Sequence, residues 1–258
     1  MKIGRFKKGN FVFFGLVSKN GQIQKISSPF ESLEIEFCEK VFTSDEVKIL
    51  PPCVPTKIIA VGLNYRSHAE ELNMEIPREP IIFFKPTSAI IGHLDYIVLP
   101  QISKEVHYEG ELGVIIKKTL YRPKTFKEIE TAILGYTCFN DVTARDLQKR
   151  DKQWTRSKSF NTFAPFGPWI ETDIDPENAT VITRVNREEK QRGNTKDLIF
   201  SIFDLIKFIS NIMTLFPGDI IATGTPPGVG PIKAGDIVEV EIEGIGILKN
   251  PVREEDER

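Results

Sequence analysis

In the segment VHYEGELGVII, residues 106–116, His107, Glu109 and Glu111 fall on every second position, and Leu112, Val114 and Ile116 fall on the alternate ones. Successive side chains of a strand point to opposite faces, so the imidazole and both carboxylates share one face. Like charges stacked there repel. A hard divalent cation would remove that cost, since Mg²⁺ takes oxygen donors in octahedral geometry. The competing reading is a half-exposed strand whose solvent face happens to be charged. A third carboxylate strengthens the metal reading. Asp141 in FNDVTARDLQ closes an apolar run, where a sheet-built site takes a ligand. The alternative for Asp141 is an Asn-Asp turn capping a helix over TARDLQ, with Asp146 further along.

A second cluster lies in GLNYRSHAEE, where a helix puts His68 and Glu71, spaced i and i+3, on one side. Such a pair can act as a base oriented by a carboxylate. A surface His–Glu pair is the bland alternative. Lys85 in FFKPTSA and Lys158 in WTRSKSF sit among apolar and aromatic residues. Either could hold a substrate carboxylate or stabilise an enolate, or else snorkel to the surface. The Gly/Pro-rich TGTPPGVG, residues 223–230, lacks the Gly-Lys-Thr ending of a phosphate loop. A rigid loop aiming Thr225 at a ligand fits it better than a nucleotide site.

These residues need a framework. KIIAVGLN reads as a buried strand, YRSHAEELNM as a short helix, and IIFFKPTSAIIG as strand, turn, strand. TFKEIETAILG opens on a Thr125 N-cap with Glu128 three residues later. DLIFSIFDLIKFISNIMTLFPG is the strongest helix prediction, with apolar residues near a 3.6 period and Pro217-Gly218 to end it. Near the start, Asn20-Gly21 between apolar runs signals a hairpin. The cluster of Pro51, Pro52 and Pro55 marks a boundary. Strands outnumber helices without strict βαβ alternation, which points to an α+β, mostly β fold.

The 258 residues are 40% hydrophobic, enough for a substantial core. With 34 basic and 36 acidic residues, the formal charge of -2 gives no pull toward nucleic acid or an anionic membrane. No apolar run is long enough to span a bilayer, and the N-terminal segment lacks a signal-peptide cleavage site. Cys38, Cys53 and Cys138 lack metal-ligand spacing and suit buried thiols in a reducing cytoplasm.

Taken in order, VGLNYRSHAEE, FFKPTSAIIG, VHYEGELGVII, NDVTARDLQ, WTRSKSFNTFAPFGPWI and TGTPPGVG closely resemble the fumarylacetoacetate hydrolase family over residues 57 to 250. The resemblance implies a mixed β-roll/β-sandwich catalytic domain over 56–258, preceded by a small N-terminal β-rich domain over 1–55, in a homodimer. It implies Mg²⁺, with Mn²⁺ or Ca²⁺ as alternatives, on Glu109, Glu111 and Asp141. His68 with Glu71 corresponds to a water-activating dyad and Lys158 to a lysine beside metal and substrate. Thr225 corresponds to a substrate contact, with Arg66, Lys85 and Gln148 as further pocket candidates. His107 is then a neighbour of the site rather than a ligand, and part of 66–79 could serve as a lid. The chain departs from the family at Asn161, where Asp often follows SKSF.

The activity so implied is hydrolysis of the C–C bond of an acylpyruvate or related 1,3-diketo acid, a 2-oxo acid substrate, through a metal-bound enolate. The alternative is 2-hydroxyhepta-2,4-diene-1,7-dioate isomerase or 5-carboxymethyl-2-oxo-hex-3-ene-1,7-dioate decarboxylase activity. A silent β-rich scaffold is a third reading, from a different class.

Overall fold

A computed structural model describes residues 1–31, 35–71 and 75–256 of the chain. Most of the strands join one twelve-stranded sheet. Its path runs Phe37–Phe42, Ile23–Ile26, Phe11–Val17, Lys2–Lys8, Ala164–Glu171, Ile133–Asn140, Gly110–Ile116, Ile220–Ala222, Ile58–Gly62 and Ile81–Lys85. The N-terminal meander meets the rest of this sheet where Lys2 and Ile3 pair with Glu171 and Ile170. Its Asn20-Gly21 turn forms as the sequence predicts, with Gly21 at φ +81° between antiparallel strands.

A second sheet of five strands contains Thr180–Val185, Glu188–Asn194 and Ile237–Ile242, and it packs over the centre of the large one. Leu112 and Val114 from the large sheet meet Val181, Val240 and Ile242 from the small one in a dry core. The helix Ile202–Ile212 adds Leu205, Ile206 and Ile209 to the same core. This helix is shorter than its periodicity predicts. A Ser201–Asp204 capping box starts it, and Met213 leaves helical geometry so that Leu215 can pair with Leu120. The Thr125 cap is as expected, with Glu128 N–H donating to Thr125 Oγ1 at 3.2 Å. The short helix Arg66–Glu71 carries the His68 segment, and Leu72–Met74 of the predicted helix and lid lie outside the described residues.

The segment VHYEGELGVII is two strands rather than one. Val106–Tyr108 pairs with Thr143–Ala144 and Gly230–Pro231 in a small three-stranded sheet. Gly110–Ile116 enters the large sheet, and Glu109 is the junction. Every residue of Gly110–Ile116 is buried, which removes the half-exposed reading: Glu109 is 6% and Glu111 1% exposed. Gly110 is needed between them. A Cβ there would lie 2.0 Å from Thr183 Oγ1 on the covering sheet. No helix among the described residues is long and apolar enough to cross a membrane. Cys53 and Cys138 are buried thiols, whereas Cys38 is partly exposed.

Gly110→Ala should therefore cost about 1–3 kcal/mol, the usual range for overpacking. A urea midpoint lowered accordingly, and partly restored in the double variant Gly110→Ala/Thr183→Ala, checks the contact.

Candidate active site

Asp141 follows directly on the strand Ile133–Asn140, whose Asn140 pairs with Gly110. Its backbone N–H donates to Glu109 O at 2.8 Å, and Asn140 Oδ1 accepts from Glu109 N–H at 3.0 Å. Two neighbouring strand ends thus bring Glu109, Glu111 and Asp141 together. One oxygen from each lies within 4.8 Å of the others, and all three side chains are buried. Asp141 does not cap the Arg145–Arg150 helix, which has no side-chain cap. Asp146 faces away, accepting from Ser103 Oγ at 2.6 Å.

Burying three carboxylates demands compensation. Lys158 Nζ donates to Glu109 Oε2 at 2.8 Å and Asp141 Oδ2 at 2.6 Å. Lys85 Nζ donates to Asp141 Oδ1 at 2.5 Å and to Val142 O at 3.1 Å. Arg145 Nη2 holds Glu109 Oε1. Burial by itself would raise the Glu109 carboxyl, but Lys158 and Arg145 outweigh it and hold it well below the usual range. Burial likewise works against the Lys158 ammonium, yet Asp141 and Glu109 prevail and raise its pKa. For Lys85 burial wins and the pKa falls.

Glu111 differs from its neighbours. It is paired with no lysine or arginine among the described residues, and it accepts from Gly224 N–H at 2.8 Å. Burial first, then the Asp141 and Glu109 charges, push its carboxyl well above the ordinary range. A buried carboxylate with no close cation of its own, beside two others, is an oxygen-donor set that a hard divalent cation fits.

The TGTPPGVG loop closes this arrangement. Gly224, at φ +102°, presents its N–H to Glu111, and a Cβ there would lie 2.7 Å from the Asn64 Cβ. Asn64 holds the loop by donating from Nδ2 to Thr223 O at 2.8 Å. Thr225 Oγ1 donates to Gly110 O at 2.9 Å and accepts from Gln191 Nε2 at 2.8 Å. Gln191 Oε1 in turn accepts from Gly110 N–H at 3.0 Å. Gln191 thus ties the strand of Glu111 to the loop of Thr225. The Thr225 hydroxyl proton is committed to the strand.

These groups open onto a cavity of about 440 Å³, whose walls combine His68, Arg145, Gln148, Lys158 and Thr225 with apolar Val61, Leu63, Ile81, Phe83 and Trp154. His68 Nδ1 lies 2.9 Å from Glu71 Oε2, and Glu71 Oε1 accepts from Gly228 N–H at 3.2 Å. In neutral His68 the proton sits on Nδ1 toward Glu71, which leaves the Nε2 lone pair free. Gln148 lines the cavity and accepts from Arg145 Nη1.

Two pocket candidates lie elsewhere. Arg66 is exposed, because two residues before the buried His68 is the opposite side of a helix. Lys85 is fully buried behind Asp141 and is not part of the cavity wall. His107 faces Glu105 Oε1 at 3.0 Å and accepts a long contact from Arg145 Nε at 3.5 Å. Burial and the Arg145 guanidinium lower its pKa, and its position is that of a neighbour to the cluster.

Arg145 and Trp154 are the residues that sequence reading passes over. Arg145 stands i, i+3 from Gln148 in a quoted motif, a spacing that would have flagged it. Trp154 presses on Gly62, where a Cβ would lie 2.6 Å from its ring, and meets Phe83 edge-on at 5.2 Å. No local signal reveals that contact.

Residues 57–253 match the family model described as fumarylacetoacetate (FAA) hydrolase C-terminal, and residues 1–52 match the one described as Rv2993c-like, N-terminal. The chain belongs to the fumarylacetoacetate hydrolase family. It is 44% identical over 219 residues to the mitochondrial oxaloacetate tautomerase Fahd2a of Rattus norvegicus, spanning 80% of this chain and 70% of that protein. The crystal structure of 5-carboxymethyl-2-hydroxymuconate delta-isomerase from Mycobacterium smegmatis superposes with a TM-score of 0.92 at 41% identity, covering 99% of this chain and 100% of that one. Maleylpyruvate hydrolase from Sphingobium sp. SYK-6, solved with manganese(II) ion and pyruvate, gives 0.81 at 30% identity, with 99% and 100% coverage. The family fold is thus that of enzymes, and a relative in it holds a divalent metal.

The Glu111 carboxyl has a testable consequence for stability in chelator-treated protein. Its raised pKa means that the folded chain holds the proton more tightly than the unfolded chain. This contribution is full below the ordinary carboxylate value and is lost as pH climbs from that value toward the raised one. Glu109 behaves oppositely, losing its contribution as pH falls below the ordinary range. At neutral pH without metal, Glu111→Gln should raise the melting temperature by at least about 2–4 °C, the equivalent of 1 kcal/mol in a chain of this size. The pH-dependent decline should flatten in the same variant. Calorimetry across pH checks both; an unchanged slope would refute the assignment.

Proposed function

We propose that the protein is a divalent-metal-dependent enzyme that moves a proton at the carbon next to the carbonyl of a 2-oxo acid, as a tautomerase or isomerase of a 2-oxo dicarboxylate. The observation carrying this reading is the meeting, in one cavity, of the Glu109–Glu111–Asp141 cluster, the His68–Glu71 pair and the Arg145–Gln148 pair. The tautomerase and isomerase relatives, at 44% and 41% identity, support it.

Glu109, Glu111 and Asp141 would hold the ion. Mg²⁺ or Mn²⁺ would supply Lewis acidity that polarises the 2-oxo carbonyl. Arg145 and Gln148 line the cavity and would offer a guanidinium and an amide to the substrate carboxylate. His68, with its Nδ1 proton held by Glu71, takes the C3 proton on Nε2 and returns it. The Lys158 ammonium stabilises negative charge that develops on the 2-oxygen. Phe83, Ile81 and Trp154 exclude water from the enol form and receive the carbon chain.

Hydrolysis of an acylpyruvate is the second reading. The His68–Glu71 hydrogen bond is also the arrangement that activates water, and the maleylpyruvate hydrolase relative favours it. Here His68 would deprotonate water, which attacks the distal carbonyl. The C–C bond breaks, and the pyruvate enolate that leaves is protonated to pyruvate.

A panel of oxaloacetate, acylpyruvates and 2-hydroxymuconate-type diacids separates the two. An ultraviolet change without cleavage is the expected result, and release of pyruvate together with the matching carboxylic acid from an acylpyruvate, detected by NMR, would favour hydrolysis. Turnover should stop with chelator and return with Mn²⁺ or Mg²⁺. His68→Ala should bind Mn²⁺ normally and lose about 10²–10⁴-fold in kcat. Full turnover in His68→Ala refutes the base assignment, and inactivity on every 2-oxo acid sinks the proposal.

A further inference from the structure

The cations reach the six oxygens of the carboxylate cluster unequally. Lys85 and Arg145 each hold one oxygen of one carboxylate, Oδ1 of Asp141 and Oε1 of Glu109. Among the described residues Lys158 is the cation that bridges two, taking Glu109 Oε2 and Asp141 Oδ2. Its ammonium therefore lies between the carboxylates, on a residue only 2% exposed, where a cation shared by Glu109 and Asp141 would also have to sit.

The geometry points to Lys158 as a direct competitor of the divalent ion: ion uptake displaces its ammonium from Glu109 Oε2 and Asp141 Oδ2 and frees it toward the cavity. This rests on Glu109, Glu111 and Asp141 being the metal ligands. Charge argues for the exchange. Lys85, Arg145 and Lys158 already match three carboxylates, so a further two positive charges in a buried place require one of the three to withdraw. Position selects which one. Lys85 is sealed behind Asp141 and tied to Val142 O. Arg145 is braced by Gln148 and by His107. Lys158 ends the four-residue helix Thr155–Lys158 and lines the cavity, and its flexible stem gives it somewhere to go. The Phe83 ring, with its centroid 5.0 Å from Nζ, offers a cation–π contact beside that route. The ammonium that balances the cluster is then delivered to the substrate oxygen only once the ion is in place.

The test is Mn²⁺ binding to chelator-stripped protein, with free Mn²⁺ followed by its EPR signal. Lys158→Met removes the competing charge and should bind Mn²⁺ at least about tenfold more tightly than wild type, a modest share of the repulsion between close charges in protein. Lys158→Arg keeps the charge and should bind no more tightly than wild type. Mn²⁺ should also raise the melting temperature of Lys158→Met by more than that of wild type. Should Lys158→Met fail to fold, Lys158→Gln, neutral and polar, carries the same comparison. Equal or weaker binding by the neutral variant, with wild type binding Mn²⁺, overturns the exchange and leaves the metal site standing. Wild type that binds no Mn²⁺ overturns the metal reading and the exchange with it.

Discussion

Three carboxylates converge at the buried ends of two adjacent strands, and much of the local architecture answers that fact. Moving a single ion out of water costs several kcal/mol even after relaxation, whereas a close opposite charge returns about 4 kcal/mol at 4 Å in a typical protein dielectric. Each acid therefore requires close partners. Glu109 has Arg145 and Lys158, and Asp141 has Lys85 and Lys158. Among the described residues Glu111 has the Gly224 N–H but no lysine or arginine partner, and burial with the Asp141 and Glu109 charges pushes its carboxyl up. Three buried carboxylates whose oxygens converge are a donor set that could hold a divalent ion.

Backbone geometry supports this electrostatic centre. Gly110 admits the covering sheet's Thr183, Gly224 fits against Asn64 at positive φ, and Gln191 stitches strand to loop. None of these groups needs to touch a substrate. They hold the strand carrying Glu111 and the loop carrying Gly224 and Thr225 at fixed separation, so the oxygens stay converged against their repulsion. The cavity above is chemically divided. One end is built from Arg145, Gln148, Lys158 and the carboxylates, while the other is Trp154, Phe83, Ile81 and Leu63. That division suits a molecule with an anionic head and a carbon chain.

Much of the site was legible because several of its residues lie in short, ordered motifs with local logic. Alternation placed Glu109 and Glu111 on one side, and helical spacing joined His68 to Glu71. The strand end marked Asp141. Local logic failed wherever a residue's direction depends on another element. Lys85 looked like a pocket lysine until packing turned it behind Asp141. Arg66 lies on the outer side of its helix. The long amphipathic run of 197–218 yielded a helix over Ile202–Ile212 only, because Leu215 finds better pairing with Leu120 than in a further turn.

By itself, the sequence offered the kinds of chemistry available, namely three carboxylates that could act as hard oxygen donors, a histidine spaced to meet a carboxylate and two lysines in apolar surroundings, together with a mostly β framework. These follow from side-chain type and from periodicities that act over a few residues. Tertiary structure alone decided that VHYEGELGVII breaks at Glu109 into two sheets, that Glu111 is the carboxylate of the three without a lysine or arginine partner among the described residues, and that Lys158 bridges two acids. Each depends on which distant strand or loop supplies a partner. Burial and Coulomb energies are set by separations in space, which spacing along the chain does not encode.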